Sequence, residues 1–433
     1  MENVIDKLAE RGFIDQMTHP ELREWVKKPI KAYVGFDPTA DSLHLGNLIG
    51  IMALAWFQKF GHTPVVILGG ATGRIGDPSG KSAERPLLDD QVLAANVGRL
   101  EGFFHKILHF SSGPRPIILN NNDWFGSFTL VDFLRDVGKH FRIGPMLAKE
   151  MVRSRFETEA GMSFTEFSYQ ILQAYDFYHL FQKYHVTLEM GGSDQWGNIT
   201  AGLELNRKLG GDSIYGLTFP LLTRSDGKKF GKSEEGAIWL AGDRLSPYQF
   251  YQYLVRIPDA DVIRLLKMLT FLDMAEIGSL ERAMNSPEYV PNTAQKRLAE
   301  EVTRFVHGQE GLDAALRVTE GMAPGSKGSK ETMGEGKLTG AVLEELAADM
   351  PNASLSYEEV VGQKFIDIAV RSGLVPSKSE GTRLVKNGGA YLNNERVADP
   401  SFSISSSDLI DGSFLLISAG KKKRLLIRVH TVK

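Results

Sequence analysis

The first half of the chain alternates short, almost wholly apolar runs with longer stretches whose apolar positions recur every three to four residues. Ile30 to Phe36 (IKAYVGF), Thr63 to Leu68 (TPVVIL), Pro116 to Leu119 and Val186 to Met190 (VTLEM) have strand length and little polar interruption. Such runs suit strands covered on both faces in a parallel sheet. Between them, Leu48 to about Lys59, residues 89 to 109, and Thr165 to Tyr184 carry helical periodicity. Strands alternating with helices predict an α/β domain over residues 1–245, with 1–29 as a leading helix and connector. Residues 128 to 160 read as a long helical stretch whose Met and Phe positions suit either an exposed face or the core.

The second half changes character. Ser246 to about Thr319 is helical in pattern throughout, which predicts a small helical domain over 246–320. Gly321 to Lys337 (GMAPGSKGSKETMGEGK) is rich in Gly, Ser and Lys and reads as a flexible linker. Residues 338–433 predict an α+β domain. It has two short helices, a strand turning at Asn393-Asn394, and two more strands (FLLIS and RLLIRV) joined by a lysine turn.

Polar residues of interest cluster where the apolar runs stop. The first strand ends at Asp37-Pro38-Thr39, and Ser42 is placed to cap a helix running to about Lys59. His44, Gly46 and Asn47 then fall in its first turn, beside N–H groups and a dipole that attract anions. The loop Gly69 to Ser82 (GGATGRIGDPSGKS) is not a Walker A loop, because Ile75 stands where the first glycine is required. Nor is it a dinucleotide fingerprint, since its glycines at 70, 73 and 76 are evenly spaced. It does place Asp77 after a strand end, where open α/β sheets bind ligands. Tyr169, Gln173 and Asp176 share one face of the Thr165–Tyr184 helix, whose other faces are apolar. A polar stripe on so buried a helix is either paired inside the core or lines a polar pocket. After the fourth strand come Gly191-Gly192-Ser193-Asp194-Gln195; farther on, Leu221 to Ser233 ends in KFGKS, with Lys228, Lys229 and Lys232.

Composition narrows the classes. Of 433 residues, 42% are hydrophobic and 24% charged, as in an ordinary soluble globular protein of about three domains. No apolar run approaches the ~20 residues of a membrane span. The N-terminus resembles neither a signal nor a transit peptide, so a cytoplasmic protein is expected. With no cysteine, disulfides and thiolate metal sites are excluded. His105 and His109 lack an acidic partner and read as an exposed helix face, so no protein-held metal is expected. The net charge of −3 is unevenly spread, with 12 Lys/Arg against 6 Asp/Glu from Gln363 onward and a net of −9 before it. A basic tail on an acidic body suggests a local polyanionic partner.

His-Leu-Gly-Asn at 44–47 resembles the HIGH signature of class I aminoacyl-tRNA synthetases, with Asn47 in place of the second histidine. The surrounding YVGFDPTADSLHLGN (33–47) resembles the bacterial and organellar tyrosine-specific members. KFGKS at 229–233 resembles their KMSKS signature, and the segment from Phe365 resembles the S4 RNA-binding domain. The motifs stand in family order across the whole chain, the two signatures some 185 residues apart.

The resemblance implies a Rossmann-like catalytic domain with a dimerisation insertion near 120–165, an anticodon-binding type of helical domain and an S4-like tail. It further implies a homodimer that charges tRNA(Tyr) with tyrosine, using ATP with Mg²⁺ and no membrane. His44, Asn47, Lys229, Lys232 and Ser233 would carry the chemistry. Tyr33 and Asp176 would bind the phenolic hydroxyl. Asp77, Tyr169 and Gln173 would hold the ammonium, with Asp37 beside them, and Gln195 the carboxylate side. Gly35, Gly46, Gly192 and Asp194 would join His44, Asn47, Lys229 and Lys232 around the nucleotide. Lys378, Arg383, Lys386, Lys421, Lys422, Lys423 and Arg424 would meet tRNA. Two rival readings are an RNA-binding protein that has lost the chemistry and the sister tryptophan enzyme; Tyr33 with Asp176 favours tyrosine.

Overall fold

In the computed structural model the described residues are 3–80, 88–108, 113–157, 161–227, 230–233, 236–321, 339–347, 350–420 and 423–430. The chain divides into two compact units, residues 1–245 with 253–306, and residues 246–252 with 307–433.

The first unit is built on a six-stranded sheet of β1 (Gln16–Met17), β2 (Lys31–Phe36), β3 (Thr63–Leu68), β4 (Ile117–Asn120), β5 (Leu188–Gly192) and β6 (Tyr215–Phe219). Their order is β1-β6-β5-β2-β3-β4. Strands β2 to β6 pair in parallel and β1 is an antiparallel edge. Every parallel connection carries at least one helix, so both faces are covered and the strands can be apolar throughout. Chain order reverses between β2 and β5, the switch point at which an open α/β sheet leaves a crevice beyond its strand ends.

Several local expectations change. Ser42 caps no helix; its hydroxyl donates to the Leu43 carbonyl (2.9 Å) and accepts from the Ala241 N–H (3.1 Å). Instead, a 3₁₀ turn (Leu45–Asn47) leads into the helix Leu48–Lys59, and the His44 N–H donates to Asn47 Oδ1 at 3.0 Å. Residues 128–160 are not one long helix. Gly138 falls in the break between Leu130–Asp136 and Ile143–Leu147, Pro145 sits in the first turn of the latter, where a missing N–H costs nothing, and Ala148-Lys149 separate it from Glu150–Phe156.

The expected helical domain over 246–320 is shared between the two units. Arg11 supplies one reason that 253–306 belongs with the sheet. Its buried guanidinium donates to the carbonyls of Lys267, Leu272 and Thr270 at 2.7–2.8 Å, at the end of the helix Asp259–Leu269. The Lys267 carbonyl is in the last turn of that helix, where no N–H of the helix can reach it, Thr270 and Leu272 follow its end, and a cation at that terminus also meets the helix dipole. Within the helical run Thr293–Gly321, Gly308 takes φ 74°, and the unit boundary falls beside it.

A short ribbon, β7 (Lys232–Ser233) with β8 (Gly236–Ala237), closes the first unit's loop region. The second unit holds a sheet of β9 (Asn352–Ser356), β10 (Ala390–Leu392), β11 (Glu395–Arg396), β12 (Phe414–Ala419) and β13 (Lys423–His430), ordered β11-β10-β12-β13-β9. Asn393 and Asn394 form the β10–β11 turn at φ 49° and 68°, where Asn is among the few residues that tolerate the left-handed region. Leu415, Ile417, Leu425 and Ile427 pack with the helices Phe365–Arg371 and Lys378–Lys386 on one face, while Leu416 and Leu426 meet Leu343 and Ala347 on the other. The linker 321–337 lies outside the described residues except for Gly321.

Candidate active site

The crevice at the β2/β5 switch point is a cleft of about 400 Å³, lined from Tyr33 round to Trp239 by the ends of β2, β3, β5 and β6 and by the polar face of the helix Phe164–Tyr184. That face points into the cleft, so of the two readings of the polar stripe the pocket holds.

At the deep end, Asp176 is 4% exposed. Its Oδ1 accepts from Trp124 Nε1 at 2.8 Å and its Oδ2 from Asn121 Nδ2 at 3.1 Å. Burial pushes its carboxyl well above the usual carboxylate range, and these two donors pull it back. Asn121 is held in turn, its Oδ1 accepting from the Ala71 N–H (2.7 Å) and its Nδ2 also reaching Thr72 Oγ1 (2.9 Å). The Tyr33 hydroxyl is buried without hydrogen-bond geometry to any described group, although Glu189 and Asp176 act on it electrostatically and raise its pKa beyond what burial does.

Nearer the mouth, Tyr169 donates to Asp37 Oδ2 (2.8 Å), whose Oδ1 accepts from Thr72 Oγ1 (2.7 Å). Gln173 donates to Glu189 Oε1 (2.9 Å) and accepts from Asn198 Nδ2 (3.0 Å). Asp77 accepts from the Ser79 N–H (3.0 Å) and from Gln195 Nε2 (2.7 Å). Gln195, expected at the substrate carboxylate, is thus engaged here with Asp77 and with Asn198 (3.1 Å). Five carboxyl groups, Asp37, Asp77, Asp176, Glu189 and Asp194, therefore face one cleft.

The shallow end is built from backbone and small residues. Asn47 spends Oδ1 on the His44 N–H, so its Nδ2 carries the remaining donors. A Cβ on Gly192 would lie 2.6 Å from Asp194 Oδ1 and 2.9 Å from Leu221, so a larger residue there would push the Asp194 carboxylate aside. Ahead of Gly35 a Cβ would meet nothing within 4 Å, which leaves the strand end open to a flat ring. The segment that follows the KFGKS ribbon pairs with the first signature. The Leu45 N–H donates to the Ile238 carbonyl (2.8 Å), His44 bridges Trp239, and the Leu240 N–H donates to Leu43 (2.8 Å). The base of the second loop is tied down by the Ser225 N–H donating to Asp261 Oδ1 at 3.0 Å. Lys228 and Lys229 lie outside the described residues; Lys232 and Ser233 sit on β7.

Thr72, Asn121, Trp124, Glu189 and Asn198 were not singled out from sequence. Asn121 and Trp124 stand in the NNNDW that follows a strand end, which is the signal that could have found them.

In the second unit Lys378, Arg383, Lys386 and Lys423 are exposed. Arg424 is half-buried, which lowers its pKa. Lys421 and Lys422 lie outside the described residues.

A parallel sheet with this strand order, an HLGN turn at its switch point and a KFGKS ribbon followed by a segment bonded to that turn define a class I aminoacyl-tRNA synthetase. The family model "tRNA synthetases class I (W and Y)" matches residues 26–322, and "Tyrosine--tRNA ligase SYY-like C-terminal domain" matches 342–427. The chain is 58% identical to a tyrosine–tRNA ligase of Protochlamydia amoebophila, with 99% of each covered. It is 51% identical to the chloroplastic/mitochondrial tyrosine–tRNA ligase of Arabidopsis thaliana, covering 99% of this chain and 84% of that one. A crystal structure of a C-terminally truncated mitochondrial tyrosyl-tRNA synthetase from Aspergillus nidulans matches with a TM-score of 0.64 at 34% identity, over 73% of this chain and 92% of that one. The chain belongs to the tyrosine–tRNA ligases, and its activity is the ligation of tyrosine to tRNA. Among the described residues no helix is long and apolar enough to cross a membrane.

Proposed function

We propose that the cleft activates L-tyrosine with ATP to tyrosyl-AMP and pyrophosphate, and that the tyrosyl group then passes to a ribose hydroxyl of the 3′-terminal adenosine of tRNA(Tyr). The observation that carries this is the pairing of a buried, doubly supported Asp176 with a partnerless Tyr33 hydroxyl at the closed end of the cleft. A phenol entering there donates to Asp176 and accepts from Tyr33. Phenylalanine brings no hydroxyl, so it would leave the Tyr33 hydroxyl buried without that partner and Asp176 with only its two protein donors, a general source of discrimination for which tyrosyl-tRNA synthetase is itself the established example.

Tyrosine's carboxylate is ionised at neutral pH and needs no general base. The step instead needs in-line placement and donors that meet growing charge on the phosphates. Asp37, Asp77, Tyr169 and Gln173 take the ammonium, and Gln195 stands beside the carboxylate. Asp194 takes the ribose between Gly35 and Gly192. His44 and Asn47 meet the α-phosphate from the turn after Gly46, with Lys229, Lys232 and Ser233 closing on the leaving pyrophosphate. Among the described residues no group of three or more His, Asp or Glu is placed to hold a metal. Mg²⁺ would accompany ATP's own phosphates and neutralise part of their charge.

The S4-like tail binds tRNA through its exposed Lys378, Arg383, Lys386 and Lys423, with Lys421, Lys422 and Arg424 beside them. A second copy of this chain covers the apolar surface of the insertion, where Leu130 is 74%, Val131 71% and Ile143 61% exposed. The relatives include bacterial enzymes, which supports a cytoplasmic setting.

ATP–pyrophosphate exchange run with each of the twenty amino acids tests the central claim. Exchange with tyrosine at a far higher kcat/KM than with phenylalanine or tryptophan is expected; equal exchange with tryptophan would sink it.

A further inference from the structure

Glu189 is a buried carboxyl in the tyrosine pocket to which the reaction as described gives no task. It stands on β5 in register with Tyr33 on the neighbouring parallel strand β2, so the two side chains rise side by side from the same face of the sheet. Both line the cleft. Glu189 is 2% exposed, and its Oε1 accepts from Gln173 Nε2 at 2.9 Å. Its Oε2 has no hydrogen-bond partner, and neither has the Tyr33 hydroxyl. Two adjacent, buried, unsatisfied polar atoms are costly unless each completes the other.

The direction of that bond matters to the substrate. An ionised Glu189 can only accept, so it would take the Tyr33 proton and leave the substrate hydroxyl without a donor. A neutral Glu189 can donate instead. We propose that Glu189 is a positioning residue that acts as a neutral acid and sets the polarity of the chain reading the phenol. Its proton goes to the Tyr33 oxygen, the Tyr33 proton goes to the substrate hydroxyl, and the substrate proton goes to Asp176. This rests on the reading that the cleft takes tyrosine.

The surroundings support a neutral Glu189 and a charged Asp176. From β2 only Tyr33 faces Glu189; on the other side its register partner on β6 is Gly216, which presents no side chain. From the helix Phe164–Tyr184 the polar neighbours are Gln173 and Asp176, and from the helix Trp196–Lys208 the approach is Gly202. No cation is among them. Asp176 has a fixed donor on each oxygen, whereas Glu189 has a fixed donor only in Gln173 and otherwise shares the single hydrogen of the Tyr33 hydroxyl, so the negative charge settles on Asp176. Burial raises both carboxyls, Asp176 well above the usual carboxylate range and Glu189 to about 7, so it is the two fixed donors on Asp176 that single it out to hold the charge.

The experiment measures KM for tyrosine and for phenylalanine in pyrophosphate exchange from pH 6 to 8.5, using the full chain. In the wild type, KM for tyrosine should rise about tenfold as Glu189 ionises, while KM for phenylalanine, which has no hydroxyl to read, should not follow it. Glu189→Gln donates at every pH, so it should hold the wild type's low-pH discrimination with a flat profile. Glu189→Leu, checked as folded by its unfolding temperature, should discriminate poorly at every pH. A flat wild-type profile, a Gln variant that keeps the wild-type profile, or a Leu variant that still discriminates would each overturn the proposal. Exchange that does not depend on tyrosine at all would instead sink the reading of the cleft.

Discussion

The two ends of the cleft solve different problems with different materials. At the deep end, proposed for tyrosine, side chains fixed by other side chains form a closed lattice in which Trp124 and Asn121 hold Asp176, Thr72 and Tyr169 hold Asp37, and Gln195 and Asn198 brace Asp77 and Gln173. At the shallow end, proposed for the phosphates, the parts are a 3₁₀ turn, glycines and a segment after the ribbon that is bonded to that turn through its backbone. Choosing tyrosine over phenylalanine requires polar groups that cannot relax when their partner is missing, so they must be held before the substrate arrives. Stabilising phosphates requires donors that meet charge as it develops, and an open approach for a bulky nucleotide.

The widest test of that contrast leaves both ends alone. Cutting the chain in the linker after Gly321 removes no proposed adenylate-forming group. Tyrosine-dependent exchange should stay near the full-length rate, while tRNA charging falls on the order of 10³-fold and its salt dependence shrinks as phosphate contacts are lost. Loss of exchange as well would show that the tail supports the cleft. Next in size is Lys232→Ala. If the ribbon serves only the phosphates, kcat for exchange drops about 10²–10³-fold and KM for tyrosine hardly moves. A rise confined to KM would put Lys232 at the wrong end.

Asp176→Asn should do the reverse. With the fold intact, it should weaken tyrosine relative to phenylalanine by about 10–100-fold, the worth of a hydrogen bond to a charged group. Unchanged discrimination in exchange assays would remove Asp176 from the phenol. Removing only its support should do less. Trp124→Phe keeps the ring and deletes one bond to Asp176, for an expected loss of about fivefold in the same ratio.

A separate test reads stability. Glu189 sits at about 7 in the folded chain against an ordinary 4.5. The stability it contributes is therefore full below about pH 4.5 and lost as pH rises through about 7, by on the order of 3 kcal/mol. Glu189→Gln lacks that loss, so its unfolding temperature should exceed the wild type's at pH 8 and match it at pH 4.5. An equal offset at both pH values would mean that burial does not perturb this carboxyl.

Sequence alone determined the parts that depend on local pattern. The apolar runs set β2, β3, β4 and β5, and the polar stripe on the helix after Ser163 set which side chains could face a pocket, because periodicity fixes direction. The order of the motifs set the family. Tertiary structure decided what those parts touch. Nothing in the spacing shows that Trp124 and Asn121, some fifty residues before Asp176, would be its donors. Nor does it show that Ser42 would hold Ala241 rather than cap a helix, or that Arg11 would bind the carbonyls ending the helix Asp259–Leu269. It gave no sign that Glu189 would stand beside Tyr33 with an unpaired oxygen, since strand register across a parallel sheet depends on the crossovers between them. Periodicity reports which way a side chain points along its own element; only packing of distant elements decides what waits there, because those contacts join residues the chain does not join.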